Sequence, residues 1–135
     1  MNLSFLDRVQ PLGFFILRVV LGVIMVVHGY HEVFGGQLHH HAQFVASLGM
    51  PAWLGYVSAF TEFLGGIALI VGVLTRFAAL AVCIDMCVAI AKVHWHNGLT
   101  GQGGFEFPLS LAAIAFALIF TGAGPISIDW LTGRK

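Results

Sequence analysis

Charge is what this sequence has least of. Of its 135 residues only 9% are Asp, Glu, Lys or Arg, against about 25% in a typical soluble domain. A water-facing surface cannot be built from that inventory. The formal net charge is zero, so nothing points to a nucleic-acid or acidic partner. Cysteine is equally sparse: Cys83 and Cys87 stand alone inside an apolar run, with no CxxC or CxxCH pattern. No flavin, haem or iron–sulfur motif is visible, so no resident electron carrier is assigned and any electrons must come from elsewhere. Arg8 precedes an apolar stretch, but no small-x-small cleavage site follows, so the segment does not read as a signal peptide.

What remains is apolar. Hydrophobic residues make up 59% of the chain, accompanied by 17 glycines, and Gly is more frequent in membrane helices than in soluble ones. The composition predicts an integral, all-α membrane protein. Crossing a bilayer takes about 20 helical residues, and four stretches of residues 1–135 meet or approach that length: 12–34, 52–74, 77–96 and 105–121. Pro11 and Pro51 introduce the first two, and the breaker Gly122–Pro125 ends the last. Because backbone groups in lipid must be satisfied internally, helices are the form such runs take. The expected architecture is therefore one four-helix transmembrane bundle.

Orientation follows from where Lys and Arg lie. Arg8, Arg76, Arg134 and Lys135 fall at the two termini and between spans two and three, whereas 35–50 and 97–104 contain neither residue. Both termini are thus expected on the cytoplasmic side of the cell (inner) membrane. His39–His41 reads as a solvated loop, and Lys92 is positioned to snorkel outward.

Ionisable side chains inside a membrane are costly and turn toward a bundle interior. Helical phase places Arg18, Gly22, Met25, Gly29 and Glu32 on one face of span one. It places Gly55, Ser58, Glu62, Gly65, Gly66 and Leu69 on one face of span two, and Glu106, Ser110, Ala113, Ala117 and Thr121 on one face of span four. Small residues beside polar ones are how membrane helices approach closely. Span three has two polar faces, Cys83/Cys87/His94 and Asp85/Lys92/His96, which predicts a homo-oligomer or partner-subunit contact on one of them. The cysteines, a helical turn apart in apolar surroundings, read as small packing residues.

Depth, at about 1.5 Å per residue from the cytoplasmic ends, puts Arg18 and Asp85 in the inner leaflet, where a neutralising structural ion pair is expected. The same count places His28, Glu62, His94 and Glu106 in one outer-leaflet layer, with His31, Glu32 and His96 slightly beyond. Val26–Gly36 (VVHGYHEVFGG) then forms one wall of a polar chamber. Two chemistries suit it. Carboxyls and imidazoles can handle the protons of a quinone, with His28, Glu62 and Glu106 in that role and Trp53, Phe60, Phe63 and Phe105 as a flat apolar slot. Alternatively, His28, His31, Glu32 and His94 can hold a metal or haem. A non-catalytic scaffold subunit is the third reading.

Several pieces in order resemble the DoxX family of small bacterial and archaeal membrane proteins along nearly the whole chain. They are LRVVLGVIMVVHG (17–29), LGMPAW (48–53), TEFLGGIALIVGVLTR (61–76), GQGGFEFPL (101–109) and TGAGPISID (121–129). The resemblance implies a four-helix membrane bundle and an association with oxidoreductases. Relatives include the membrane part of thiosulfate:quinone oxidoreductase and a mycobacterial member assembled with superoxide dismutase and a sulfurtransferase. It also implies that Arg18, His28, Glu62, His94 and Glu106 are the recurrent polar positions. One departure stands out: where the family commonly carries lysine, this chain has Glu32, a change that disfavours an anionic substrate and favours a cation.

Overall fold

The computed structural model describes residues 2–134, which form six α-helices and no β-strand. After a short 3₁₀ turn (Ser4–Arg8) come α1 (Gln10–Phe34), α2 (Leu38–Ser47), α3 (Trp53–Val71), α4 (Thr75–Ala89), α5 (Glu106–Thr121) and α6 (Ile128–Leu131). The α4 rod continues through a π-helical segment, Ile90–His94, and a 3₁₀ turn to Asn97. Three helical stretches, Gln10–Phe34, Trp53–Val71 and Thr75–Asn97, have the length and apolarity to cross a membrane. α5 is apolar too, but has 16 residues.

Glycine sets the closest approach, between α1 and α3. A Cβ on Gly66 would lie 2.7 Å from Val26 N and 2.8 Å from Gly22 O, and one on Gly29 would overlap the Phe63 backbone. Small residues here let two backbones meet, as the helical phase of both spans predicts. The buried residues of α1 are Arg18, Leu21, Gly22, Met25 and Gly29, and those of α3 are Gly55, Ala59, Glu62, Gly66 and Leu69. The core continues through Ala79, Val82 and Met86 of α4 to Leu111, Ala115 and Leu118 of α5.

The expected inward face of α5 points the other way. Glu106, Ser110, Ala113 and Thr121 are exposed, whereas Pro108, Leu111, Ala112, Ala115 and Leu118 are buried. Ser110 needs no tertiary partner, because its hydroxyl donates to the Glu106 carbonyl one turn earlier. Packing volume rather than polarity chooses the face.

The expected solvated loop at His39–His41 is instead helix α2. Leu38, Ala42 and Val45 make an apolar stripe of helical period, and Ala42 and Val45 are buried. A Cβ on Gly55 would fall 2.6 Å from Ala42 Cα, so α2 lies directly on α3. His39 and His40 are exposed, and His41 lies on the inner side.

At the opposite end the α3–α4 turn is tight. Gly72 caps α3 in the left-handed region (φ +71°), and Leu74 follows at φ +48°, a conformation rare for a branched residue. The carboxylate of Asp129, delivered by the C-terminal segment, accepts from the amides of both Leu74 and Thr75 at 2.8 Å. Arg76 donates to the Ile119 and Phe120 carbonyls at the end of α5, satisfying acceptors that the helix terminus leaves open.

Candidate functional site

The α3–α4 hairpin explains which ionisable groups meet. Glu62 lies ten residues before Gly72 and Asp85 ten residues after Thr75, so both stand about 15 Å above the turn. Their side chains are neighbours, and the Ser58 hydroxyl lies beside Asp85. From α1, Glu32 sits close enough to act electrostatically on Glu62. From α2, His41 Nδ1 lies 3.2 Å from Glu32 Oε1. Three carboxyls and an imidazole, contributed by four helices, thus share one interior. Glu62 Oε2, Glu32 Oε2 and His41 Nε2 are buried without a hydrogen-bond partner.

These groups border a cavity of about 480 Å³ bounded by α1, α2, α3 and the upper half of α4. Its walls are mostly apolar, with Phe44, Val57 and Ile84 prominent, and Lys92 and His94 also line it. The π segment accounts for His94 reaching that lining. Its wider turn advances the helix register, which undoes the opposition between His94 and Asp85 expected from an unbroken α-helix. His94 Nδ1 lies 2.8 Å from the Gly103 carbonyl, which also accepts from Asn97 Nδ2, and Trp95 stacks on Phe105 at 5.4 Å. Burial lowers the His41 pKa below its ordinary 6.5, with the Asp85 charge opposing, so the imidazole is neutral at pH 7.

Of the proton-handling residues expected from sequence, the structure brings only Glu62 here. His28 is exposed with its ring 6.2 Å from Phe107. Glu106 is exposed in the first turn of α5, where the helix dipole favours an acid. The expected metal ligands are likewise dispersed: His28 and His31 are exposed, Glu32 faces His41, and His94 faces Gly103. Among the described residues no group of three or more His, Cys, Asp or Glu side chains is arranged to hold a metal ion.

The expected Arg18–Asp85 pair is not formed. Arg18 is fully buried at the level of the α3–α4 turn, where Nη2 donates to the Ile126 carbonyl and the nearby charge is that of Asp129. The depth estimate failed because α1 begins two turns below the hairpin, which leaves Arg18 about 15 Å short of Asp85. The cysteines separate as well: Cys83 is half-buried with its thiol 3.7 Å from the Ala112 carbonyl, and Cys87 is exposed.

Sequence reasoning missed Asp85 and His41 as members of the cluster. The signal for His41 was present, because it falls within the Leu38/Ala42/Val45 stripe. Asp85 joins the cluster through the symmetry of the hairpin about Gly72–Leu74, a turn whose length the apolar period does not set.

Residues 13–95 match the DoxX family. The chain is 32% identical over 129 residues to a Bacillus subtilis (strain 168) protein named "Putative oxidoreductase CatD", an alignment covering 96% of this chain and 90% of the relative. It is 24% identical over 132 residues to an Escherichia coli (strain K12) protein named "Inner membrane protein YqjF", covering 96% and 99%. No solved structure matches the chain.

Proposed function

Since the chain belongs to the DoxX family of membrane proteins, we propose that it is the membrane subunit of a redox system, whose acid-lined chamber binds a quinone headgroup and supplies its protons. The observation that carries this reading is the convergence of Glu32, Glu62, Asp85 and His41 on a largely apolar cavity within the helical bundle. Reducing a quinone to a quinol takes two electrons and two protons. Two neighbouring carboxyl side chains can hydrogen-bond only with a proton between them, one donating and one accepting. Glu62 and Asp85 therefore form a proton-holding pair next to a space of ligand size. The electrons come from a partner protein carrying a reduced flavin or a dithiol.

The same proposal places α5 as a fourth crossing and both termini in the cytoplasm, following the Lys/Arg distribution. The chamber then lies toward the outer face of the inner membrane. In lipid nanodiscs, with a reduced flavin as chemical donor, Glu62→Gln lowers the quinone reduction rate by about 10²-fold or more. His28→Ala and Glu106→Gln leave it within roughly threefold. An unchanged rate in Glu62→Gln refutes the assignment.

A further inference from the structure

The chamber has a second side. Val57, Thr61 and Ala81 line it, and the same three residues line a shallow apolar groove on the outer surface of the α3–α4 pair. Tyr56, Phe60, Leu64 and Gly65 complete that groove. Val57, Phe60 and Leu64 are among the exposed large hydrophobics, at 50%, 41% and 56%, so this face meets lipid once the helices are embedded. Val57, Thr61 and Gly65 recur every fourth residue of α3 and run the groove along the helix for about 12 Å.

The partition between groove and chamber is thin. Ala81 presents only a methyl group. Farther along the groove, beyond that partition, Gly65 presents nothing, and a Cβ built there meets only Val82 Cγ2, at 3.4 Å. An acid-lined space and an apolar channel toward the bilayer thus share one wall of small and medium side chains. That arrangement suits a ligand with a polar head and an apolar chain, because each half meets surroundings of its own polarity.

We propose that groove and chamber are one bipartite site entered sideways from the bilayer, taking an amphiphile such as a prenylated quinone whose carbonyl-bearing ring sits among Ser58, Glu62 and Asp85 and whose chain lies over Val57, Phe60 and Leu64. The identity of the head rests on the quinone reading above. The sideways route rests on the shared wall alone.

Dicyclohexylcarbodiimide tests the route without any quinone. It partitions into lipid and adds across a carboxyl O–H to give an O-acylisourea, which rearranges to a stable N-acylurea with no leaving group, readable by mass spectrometry. In nanodiscs it modifies Glu62 or Asp85, whereas a water-soluble carbodiimide does so far more slowly. Ala81→Phe, which thickens the partition, cuts labelling roughly tenfold. Gly65→Leu, at the far end of the groove, does the same, and Ala113→Phe on the exposed side of α5 does not. Folding of each variant is checked by its melting temperature.

Labelling that ignores both groove variants, or that is as fast with the water-soluble reagent, overturns the proposal. So does an unlabelled wild type, the result expected if a second copy covers the groove. A second arm measures binding of prenylated and tailless quinones. Ala81→Phe is expected to weaken the prenylated form about tenfold, or 1.4 kcal/mol, and the tailless form much less. Equal loss for both overturns the placement of the chain. Labelling as expected with neither quinone bound supports the side entry and overturns the quinone head.

Discussion

Asp129→Ala probes the contact that sets the register of the acid cluster. Asp129 is 5% exposed and accepts from Leu74 N and Thr75 N, both at 2.8 Å. These are the open amides at the start of α4, and the carboxylate's charge is also felt by the buried guanidinium of Arg18. Helix caps are worth up to about 2 kcal/mol, and a buried hydrogen bond to a charged acceptor roughly 1.5–3 kcal/mol. Removing both bonds, and stranding two amides, costs about 3 kcal/mol in total. For a chain of this size that lowers the melting temperature by roughly 10 °C. Asp129→Asn, which retains one acceptor, loses about half as much. Half-buried Cys83 provides the assay: in a Cys87→Ser background its reaction with a fluorogenic maleimide during heating reports unfolding in mild detergent. The pH dependence is a second check. Burial alone would raise the Asp129 pKa, but the Thr75 and Leu74 amides and the Arg134 charge outweigh it and hold the carboxyl below its ordinary 3.8. A lowered acid stabilises the fold above the unfolded pKa and loses that contribution as pH falls through the folded value. The gap between wild type and Asp129→Ala is therefore flat above about pH 5 and closes in stronger acid. Equal melting temperatures at pH 7 would refute the capping role.

The remaining predictions concern packing and His41. Gly29→Ala drives a Cβ into the Phe63 backbone and destabilises the fold by about 2–4 kcal/mol, whereas Gly65→Ala, with its one neighbour at 3.4 Å, stays within about 0.5 kcal/mol of wild type. Thermal melts of the pair check the contrast, and a tolerated Gly29→Ala contradicts the α1–α3 contact. Below pH 6.5 an unfolded chain binds a proton that folded His41 resists, so stability falls with pH in that window. His41→Phe flattens that slope while Arg134→Gln preserves it, as melting temperatures across about pH 5 to 7 would show.

Much of the fold is written in the period of apolar and small residues. Arg18, Gly22, Met25 and Gly29 lie buried on the predicted face of α1, and Glu62, Gly66 and Leu69 on that of α3, because close helix contact selects for small side chains at fixed spacing. The face of α5 was not legible. A helix of alanine, leucine and phenylalanine has little asymmetry, and a serine that bonds its own backbone gives polarity no say in orientation. α2 was obscured by three consecutive histidines whose polarity hides the Leu38/Ala42/Val45 stripe. For the site, Glu62 could be found by helical phase alone. The approach of Asp85 could not, because it depends on a turn only three residues long, Gly72–Leu74, whose tightness comes from Asp129, 55 positions further on.

The π segment at Ile90–His94 bears on how such a protein diversifies. A π turn is what an α-helix becomes when it accommodates one extra residue, so a single codon gained or lost here rotates His94, Trp95 and His96 by about 100°. The rods below, with their glycine crossings, would be untouched. Members of a lineage could thus exchange the side chains at the chamber mouth, and with them the molecules admitted, by one small genetic event that leaves the scaffold alone.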